Sequence, residues 1–211
     1  MTPSLLELID NATINAIEDY RRMDLDRSAA GVLIGQADGP GADDEISLML
    51  ASCQQAGADL AVRAATATES GMLLQARRLA GTAVMAKGPT VVEDVGVPPG
   101  QLARMLAAVA EVSRTSGLTI ATVAHAGDGN LHPVLLLPDL APQTTARALA
   151  AGERICARAL ELGGTITGEH GAGVPKKGWL RQQLSPAALA VHRAIKAALD
   201  PGNILNPGRA F

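Results

Sequence analysis

The sequence predicts an α+β fold in which an antiparallel or mixed β-sheet carries helices mainly on one of its faces. Helical and strand-like patterns alternate along the 211 residues, and hydrophobic residues make up 47% of them, enough for a substantial core. Two apolar runs, 118–124 and 134–137, flank the glycine-rich segment 127–130, as in a β-hairpin. A hairpin joins antiparallel strands, and this makes the sheet antiparallel or mixed.

The spacing of apolar residues predicts the elements in chain order. Where apolar residues recur every three to four positions we expect helices, at 4–22, 43–56, 67–81, 99–116, 143–162, 176–183 and 186–199. Where short runs are continuously apolar we expect strands, at 31–37, 59–65, 90–97, 118–125, 132–137 and 163–167. Glycine and proline at 38–41 and 98–100 mark loops. We expect one extended domain over residues 1–211.

Composition argues against nucleic-acid binding and membrane insertion. The net charge is −3, and the aromatic residues are only Tyr20, Trp179 and Phe211, so stacking on bases is not expected. No apolar run reaches the ~18 residues of a transmembrane helix, and the N-terminus lacks a signal-peptide pattern. We therefore expect a cytoplasmic protein. In that compartment Cys53 and Cys156 are expected to be buried free thiols.

Two glycine-rich motifs contain three of the four histidines: His125-Ala-Gly-Asp-Gly-Asn-Leu-His132 and Gly168-Glu-His-Gly171. The hairpin would bring the two histidines of the first motif to one end of the sheet, and the loop after 163–167 could direct the second motif into the same cleft. Imidazole nitrogens and a carboxylate are suitable ligands for one metal ion.

Each motif taken alone has a simpler explanation. Asp128-Gly129 is a common turn sequence, and a single histidine beside a turn is usually a capping or surface residue. The combination of both motifs favours a shared metal or catalytic site. By contrast, His192 lies within a helical pattern without other ligand-type residues, so we assign it no ligating role.

Several motifs resemble the C-terminal half of FAD-linked 2-hydroxyacid dehydrogenases, the group of the glycolate oxidase flavoprotein subunit and D-lactate dehydrogenase. The long motifs are His125–His132 and Gly168–Gly173, and the tail Asp200–Gly208 is also similar. Weaker similarity occurs at Glu7–Asp10 and Glu93–Pro98, in the family's order. The resemblance covers essentially the whole chain and implies a ferredoxin-like, partly duplicated sheet.

The resemblance implies a role for four residues of the two motifs. His125, His132 and Glu169 would hold a divalent metal, for which zinc, manganese and iron all remain open. His125 would also contact the substrate, and His170 would be the base that accepts the substrate's hydroxyl proton. A metal favours the alkoxide, and an imidazole with a pKa near the operating pH can accept the proton.

A cation is needed for the substrate carboxylate, and Arg77 matches the family's arginine in a Trp-x-x-Arg pattern, with Leu74 replacing the tryptophan. A guanidinium can bind a carboxylate through two hydrogen bonds. Arg77 and its neighbour Arg78 could equally be solvated charges on a helix. The resemblance favours Arg77.

No flavin-binding motif occurs in the sequence. A G-x-G-x-x-G fingerprint is absent, and 168–177 does not fit the P-loop pattern. We expect FAD to be bound mainly by a domain or subunit that this chain does not contain. By resemblance, the tail at about 200–211 would return to that domain, with Asn206 near the cofactor and Arg209 where lysine is common. A homodimer is also possible.

Three functions remain open. The first is the substrate- and metal-binding part of an FAD-dependent dehydrogenase that oxidises a 2-hydroxy acid, such as glycolate or D-lactate, to a 2-oxo acid with hydride transfer to FAD. The second is a stand-alone, non-catalytic remnant that binds metal or another protein. The third is a metal-dependent hydrolase with a bound water, but no H-E-x-x-H motif supports it. We favour the first.

Overall fold

The computed structural model describes residues 2–210, which form an antiparallel sheet with helices packed against it. The strands are β1 (Leu5–Asp10), β2 (Gly31–Gln36), β3 (Thr90–Val92), β4 (Val95–Gly96), β5 (Ile120–His125) and β6 (Asn130–Leu136). The helices are α1 (Asn11–Tyr20), α2 (Ala42–Gln55), α3 (Ala67–Met85), α4 (Leu102–Ser116), α5 (Pro142–Glu161), α6 (Lys177–Gln183) and α7 (Pro186–Leu199). A short 3₁₀ turn precedes α4.

The sheet has the strand order β2-β1-β5-β6-β3, and β4 also pairs with β6. Every strand pair is antiparallel. The predicted α+β class and the hairpin are therefore confirmed. In the hairpin, His125 lies opposite Asn130 and Val123 lies opposite His132. Because side chains alternate between the faces of a strand, His125 and His132 project from the same face.

The helices pack on both faces of the sheet, which corrects the prediction that they lie mainly on one. One core joins Ile120 and Leu135 to α4 and α5, and the other joins Ala121 and Val134 to α1 and α3. The reason is visible in β5, where consecutive residues are buried, so both faces of this central strand are apolar. The histidines lie on the α1 and α3 side.

The predicted helix 4–22 is wrong in its first part, which is strand β1. Asp10 ends the strand and caps α1, since its carboxylate accepts a hydrogen bond of 2.8 Å from the backbone N–H of Thr13. The run Leu5-Leu6-Glu7-Leu8-Ile9 suits a helix by local propensity, but pairing with β2 and β5 overrides that preference. Because this run is a strand paired with β5, Glu7 lies directly opposite His125.

Other predicted strands also differ from the structure. Residues 59–65 form no strand and are largely exposed, because no neighbouring strand pairs with this run between α2 and α3. The predicted strand 90–97 is divided at Glu93 and Asp94 into β3 and β4. Of the predicted strand 163–167, only Thr165 forms a bridge, with Gly96.

Candidate metal centre

The hairpin positions two of the predicted ligands. His125 and His132 have ring centroids 5.1 Å apart in an edge-to-face arrangement. The connection between them closes with a hydrogen bond of 2.9 Å from the N–H of Gly129 to the carbonyl oxygen of His125. Gly129 has φ +87°, and a Cβ there would lie 1.9 Å from the carbonyl oxygen of Val97. Only glycine therefore fits this turn.

Glu169 faces the histidines from a separate loop. Its Oε1 lies 3.1 Å from Nε2 of His132, 3.6 Å from Nε2 of His125 and 3.5 Å from Nε2 of His170. One ligand atom from each of His125, His132 and Glu169 lies within 4.8 Å of the other two. Three imidazole nitrogens thus converge on one carboxylate oxygen, as expected for donor atoms that share a bound cation.

Asp94 holds the loop that carries Glu169 and His170. Its Oδ2 accepts hydrogen bonds from Thr167 Oγ1 at 2.7 Å and from the backbone N–H groups of Gly168, Glu169 and His170 at 2.8, 3.0 and 2.9 Å. Burial raises the pKa of the Asp94 carboxyl, but these bonds, led by that from His170, outweigh burial and leave the pKa below its ordinary value. Asp94 is therefore a carboxylate at neutral pH.

Glu7 and Arg77 lie behind His125. Oε1 of the buried Glu7 is 2.8 Å from Nδ1 of His125, so His125 can donate from Nδ1 and leave Nε2 free toward Glu169. Nη2 of Arg77 donates to the same Glu7 oxygen at 3.4 Å. The contact of 3.4 Å between Arg77 Nε and Glu7 Oε2 is not aligned for hydrogen bonding, so both atoms remain unsatisfied. Arg77 is thus held loosely at the edge of the site.

His132 is the most buried imidazole of the group. Burial lowers its pKa below the ordinary value, and the nearby His125 ring lowers it further, so the neutral form with a free lone pair is favoured. Its Nδ1 has no hydrogen-bond partner and lies 3.8 Å from Oδ1 of Asp94. On its other side its ring stacks on His170, with a centroid distance of 4.8 Å.

We call Glu7, His125, His132, Glu169 and His170, with Arg77 at the edge, the histidine cluster. Its side chains become more exposed from the sheet toward the loop: His132 is 13% exposed, whereas Glu169 and His170 are 55% and 52% exposed. A cleft of about 540 Å³ borders Glu169 and is lined by Gly96, Asp128, Asn130 and Gly164 among others. A ligand can therefore reach the cluster from the loop side.

A second group of buried charges lies beside the first, and we call it the lysine cluster. Lys176 donates hydrogen bonds to the carbonyl oxygens of Asp94 at 2.6 Å and Ile166 at 2.8 Å. It also forms an ion pair of 3.0 Å with Oε2 of Glu93, at an angle outside the hydrogen-bonding range. These contacts tie the start of β4 to the segment that leads into Glu169.

The structure brings together five of the residues singled out from the sequence: His125, His132, Glu169, His170 and Arg77. It leaves the others apart. Arg78 is exposed on α3, and His192 on α7 bonds to the carbonyl oxygen of Ala188 in its own helix. Asn206 lies in the exposed tail with φ +46°, and within residues 2–210 no hydrogen bond or ion pair joins its side chain to the cluster.

Sequence reasoning missed Glu7, Asp94 and Lys176 as parts of these clusters. A signal was present for the two acids. Each interrupts a strongly apolar run, Leu5–Ile9 or Val91–Val95, where a carboxylate must find buried partners. Lys176 gives no such signal, because a lysine near glycines and a proline is typical of an exposed loop.

The whole chain matches one protein family. The sequence profile described as FAD linked oxidases, C-terminal domain, matches residues 1–210. The chain belongs to this family.

Named relatives are similar over nearly the whole chain. The glycolate oxidase subunit GlcD of Bacillus subtilis is 38% identical over 99% of this chain and 45% of its own length. A probable mitochondrial D-lactate dehydrogenase of Danio rerio is 30% identical over 98% of this chain and 42% of its own. The chain thus spans less than half the length of these curated relatives.

The fold is also similar to that of a solved structure. The 4-ethylphenol oxidase from Gulosibacter chungangensis matches 97% of this chain and 47% of its own, with a TM-score of 0.67 and 16% identity. This similarity supports the fold of the FAD-linked oxidase C-terminal domain. Among the helices formed by residues 2–210, none combines the length and apolar character needed to cross a bilayer.

Proposed function

We propose that this chain is the substrate- and metal-binding part of an FAD-dependent dehydrogenase that oxidises a 2-hydroxy acid of the glycolate or D-lactate type to a 2-oxo acid. The observation that carries the proposal is the convergence of three imidazole Nε2 atoms on Glu169 Oε1, with Arg77 beside them. The family supports FAD as the cofactor, and the names of the relatives support the substrate class.

A divalent metal fits the donor set of His125, His132 and Glu169. The pKa of His132 is lowered, so its neutral imidazole can ligate, and Glu7 lies where it can orient His125 through Nδ1. Mixed nitrogen and oxygen donors suit zinc, manganese or iron. The chemistry that such an ion supplies when bound is Lewis acidity toward a nearby hydroxyl group, which eases its deprotonation.

Arg77 would bind the carboxylate of the substrate. Its Nε is buried and lacks a hydrogen-bond partner, and its hydrogen bond to Glu7 is long. The guanidinium can therefore turn toward an incoming carboxylate and give up only a weak interaction with Glu7. Because Glu7 also contacts His125, a substrate bound by Arg77 would present its hydroxyl group near the same histidines.

His170 would accept the hydroxyl proton. Its side chain is half exposed, which leaves it accessible to a substrate from the loop side. Stacking on His132 and the backbone bond from His170 to Asp94 orient the ring. The substrate loses this proton and its α-hydrogen with two electrons, and FAD, when bound, supplies the acceptor for that hydrogen.

The FAD-binding domain or subunit would cover the face formed by α7 and the tail. Val191, Ile195 and Leu199 recur every four residues on α7 and are 57%, 54% and 79% exposed, and Ile204 in the tail is 80% exposed. Apolar residues in this arrangement mark a surface that is covered in an assembly. Asn206 would approach the cofactor there. The same surface favours the second candidate function, a non-catalytic module that binds metal or a protein partner.

Metal content is the first test of the proposal. Elemental mass spectrometry of the purified chain should find about one divalent ion per molecule, because three donors form a single site. Glu169→Gln should lose the ion, whereas Glu161→Gln, an exposed acid on α5, should keep it. Equal metal content in all three proteins would contradict the proposed site.

Substrate binding separates the two candidate functions. The metal-loaded chain is titrated with glycolate, D-lactate and, as a control without the hydroxyl group, propionate. We expect Arg77→Met to weaken hydroxy-acid binding by about 10-fold or more, since a charge-assisted hydrogen bond contributes ~1.5–3 kcal/mol. Arg78→Met is the matched control and should bind normally. Metal binding without hydroxy-acid binding would favour the non-catalytic module.

A further inference from the structure

We propose that Asp94 is a positioning residue that joins the two separate halves of the metal centre, the 167–170 loop and His132. The inference rests on the proposed metal site and goes beyond its ligands. Asp94 does not touch substrate in this assignment. It acts by fixing where Glu169 and His170 lie and which nitrogen His132 presents.

One oxygen of Asp94 organises the loop. Oδ2 accepts from Thr167 Oγ1 and from three consecutive backbone N–H groups, those of Gly168, Glu169 and His170. Successive N–H groups that surround one anion form a nest and fix the backbone dihedrals of the residues involved. The carboxylate thus holds the backbone of the loop, although the side chains of Glu169 and His170 are half exposed.

The other oxygen of Asp94 faces His132. Oδ1 is buried without a hydrogen-bond partner, as is Nδ1 of His132, and the two atoms are 3.8 Å apart. A shift of about 1 Å would bring them to hydrogen-bond distance and satisfy both. His132 would then donate from Nδ1 and present Nε2 to Glu169, which lies 3.1 Å away.

The arrangement matches that of His125. There, Glu7 lies 2.8 Å from Nδ1, so both strand histidines have a buried carboxylate on the side away from Glu169. Carboxylates in this position set the tautomer of a ligating histidine and raise its basicity. Asp94 differs from Glu7 because it also holds the loop, and one side chain therefore controls the distance between His132 and Glu169.

The neighbouring Glu93 provides a matched control. It is also buried and acidic, but it faces the opposite way, toward Lys176 and α5, where a Cβ on Gly152 would lie 2.4 Å from its Oε1. Among residues 2–210, no hydrogen bond or ion pair joins Glu93 to the 167–170 loop. A general effect of losing a buried carboxylate should appear in both variants, whereas a positioning effect should appear only at Asp94.

The test compares Asp94→Asn, Glu93→Gln and the unmodified chain. In metal-free protein, we expect Asp94→Asn alone to speed amide hydrogen exchange at residues 168–170 and to shift the ¹⁵N resonances of the His132 ring. Zinc affinity, measured by competition with a chelating dye, should fall about 10- to 100-fold in Asp94→Asn. Glu93→Gln should stay within about twofold of the unmodified chain.

The outcomes separate this inference from the proposed function. If the unmodified chain binds no zinc, the proposed metal centre fails, and the inference fails with it. If the unmodified chain and Asp94→Asn bind zinc equally and the His132 resonances agree, only the inference is overturned. Two zinc ions per chain, one of them lost in Asp94→Asn, would also overturn it, since Asp94 would then be a ligand.

A second variant keeps the test available if Asp94→Asn does not fold. Thr167→Val removes one of the four donors to Oδ2 and keeps the carboxylate. We expect zinc affinity to fall in this variant too, by about 3- to 10-fold. This is less than the full contribution of one charge-assisted hydrogen bond, because the three backbone donors to Oδ2 remain. Unchanged affinity in this folded variant would contradict the positioning role.

Discussion

The histidine cluster and the lysine cluster lie side by side, yet they differ in how their charged groups are balanced. In the lysine cluster, one ammonium group faces a carboxylate and two carbonyl oxygens, so positive charge meets acceptors within the protein. In the histidine cluster, three imidazole nitrogens face a carboxylate oxygen, and buried atoms such as His132 Nδ1 remain unsatisfied. The lysine cluster pairs its one positive charge with a carboxylate and two carbonyl oxygens, although Oε2 of Glu93 makes no hydrogen bond. The histidine cluster is suited to an added cation.

This difference separates a structural group of charges from a functional one. A buried charge is costly unless it is paired, so a cluster that is closed by its own residues stabilises one geometry. A cluster of metal-ligand atoms without a bound ion lowers the folding stability of the protein, because those atoms have no partner until an ion binds. We therefore expect substitutions in the lysine cluster to change folding stability and substitutions in the histidine cluster to change metal affinity.

The largest expected effect comes from Lys176→Met. It leaves Glu93 as a buried unpaired carboxylate and removes the donor to two carbonyl oxygens. We expect the free energy of unfolding to fall by about 3–5 kcal/mol, as for other broken buried ion pairs. Denaturant titration measures it. The control is Lys177→Met, because the ammonium group of Lys177 donates a hydrogen bond to the carbonyl oxygen of Gly208 in the tail. If the free energy of unfolding falls no more in Lys176→Met than in the control, the lysine cluster is not the structural group of charges that we infer.

His125→Gln should abolish stabilisation by zinc. At free zinc about 100 times the dissociation constant, a folded chain with one site gains ~2.7 kcal/mol. The variant removes one of three ligands, so thermal unfolding with and without zinc should then coincide. His192→Gln, on α7 outside the cluster, should keep the zinc-dependent shift. A zinc-dependent shift that persists in His125→Gln would mean that zinc binds elsewhere.

Glu7→Gln should have a smaller effect on the same property. It keeps the size of the side chain but removes the negative charge beside His125 Nδ1. We expect zinc affinity to fall about 10-fold, the lower end for residues that orient a ligating histidine. Isothermal titration measures the affinity, and Glu93→Gln, from the lysine cluster, is the comparison. A larger loss in Glu93→Gln than in Glu7→Gln would reverse our assignment of the clusters.

The smallest expected effect is a difference in reactivity between the thiols of Cys53 and Cys156, which involves no change in folding stability. Burial, followed by the negative charge of Glu93, raises the pKa of Cys156 to about 11, whereas Cys53 on α2 is only partly buried. Because the thiolate is the reactive form, Cys53 should react with a thiol reagent at pH 8 in the folded chain and Cys156 only after unfolding. Rapid reaction of both thiols in native protein would contradict the closed packing around Glu93.

Sequence reasoning predicted the parts of the site that consist of local motifs. The glycine-rich turn between two apolar runs predicted the hairpin, which is confirmed, and the hairpin brings His125 and His132 together. The loop with Glu169 and His170 was also expected near them. These predictions succeed because a turn sequence and strand alternation determine which residues share one end of a hairpin.

The errors arose where long-range pairing decides the structure. Leu5–Ile9 suits a helix or a strand by its residue types, and only β2 and β5 on either side make it a strand. The local sequence therefore does not indicate that Glu7 lies beside His125. The placement of helices on both faces was missed for a related reason, because apolar residues in β5 indicate burial but not which helix covers each face.

The sequence by itself determined the α+β class, the family and the ligand-type residues, because these depend on composition, local spacing and motifs. The tertiary structure decided which charges meet: Glu7 with His125 and Arg77, Asp94 with the 167–170 loop, and Lys176 with Glu93. These partners are up to 118 residues apart in the chain. Local propensity carries no information about contacts at that separation, since they form only when the sheet and its two helical layers pack together.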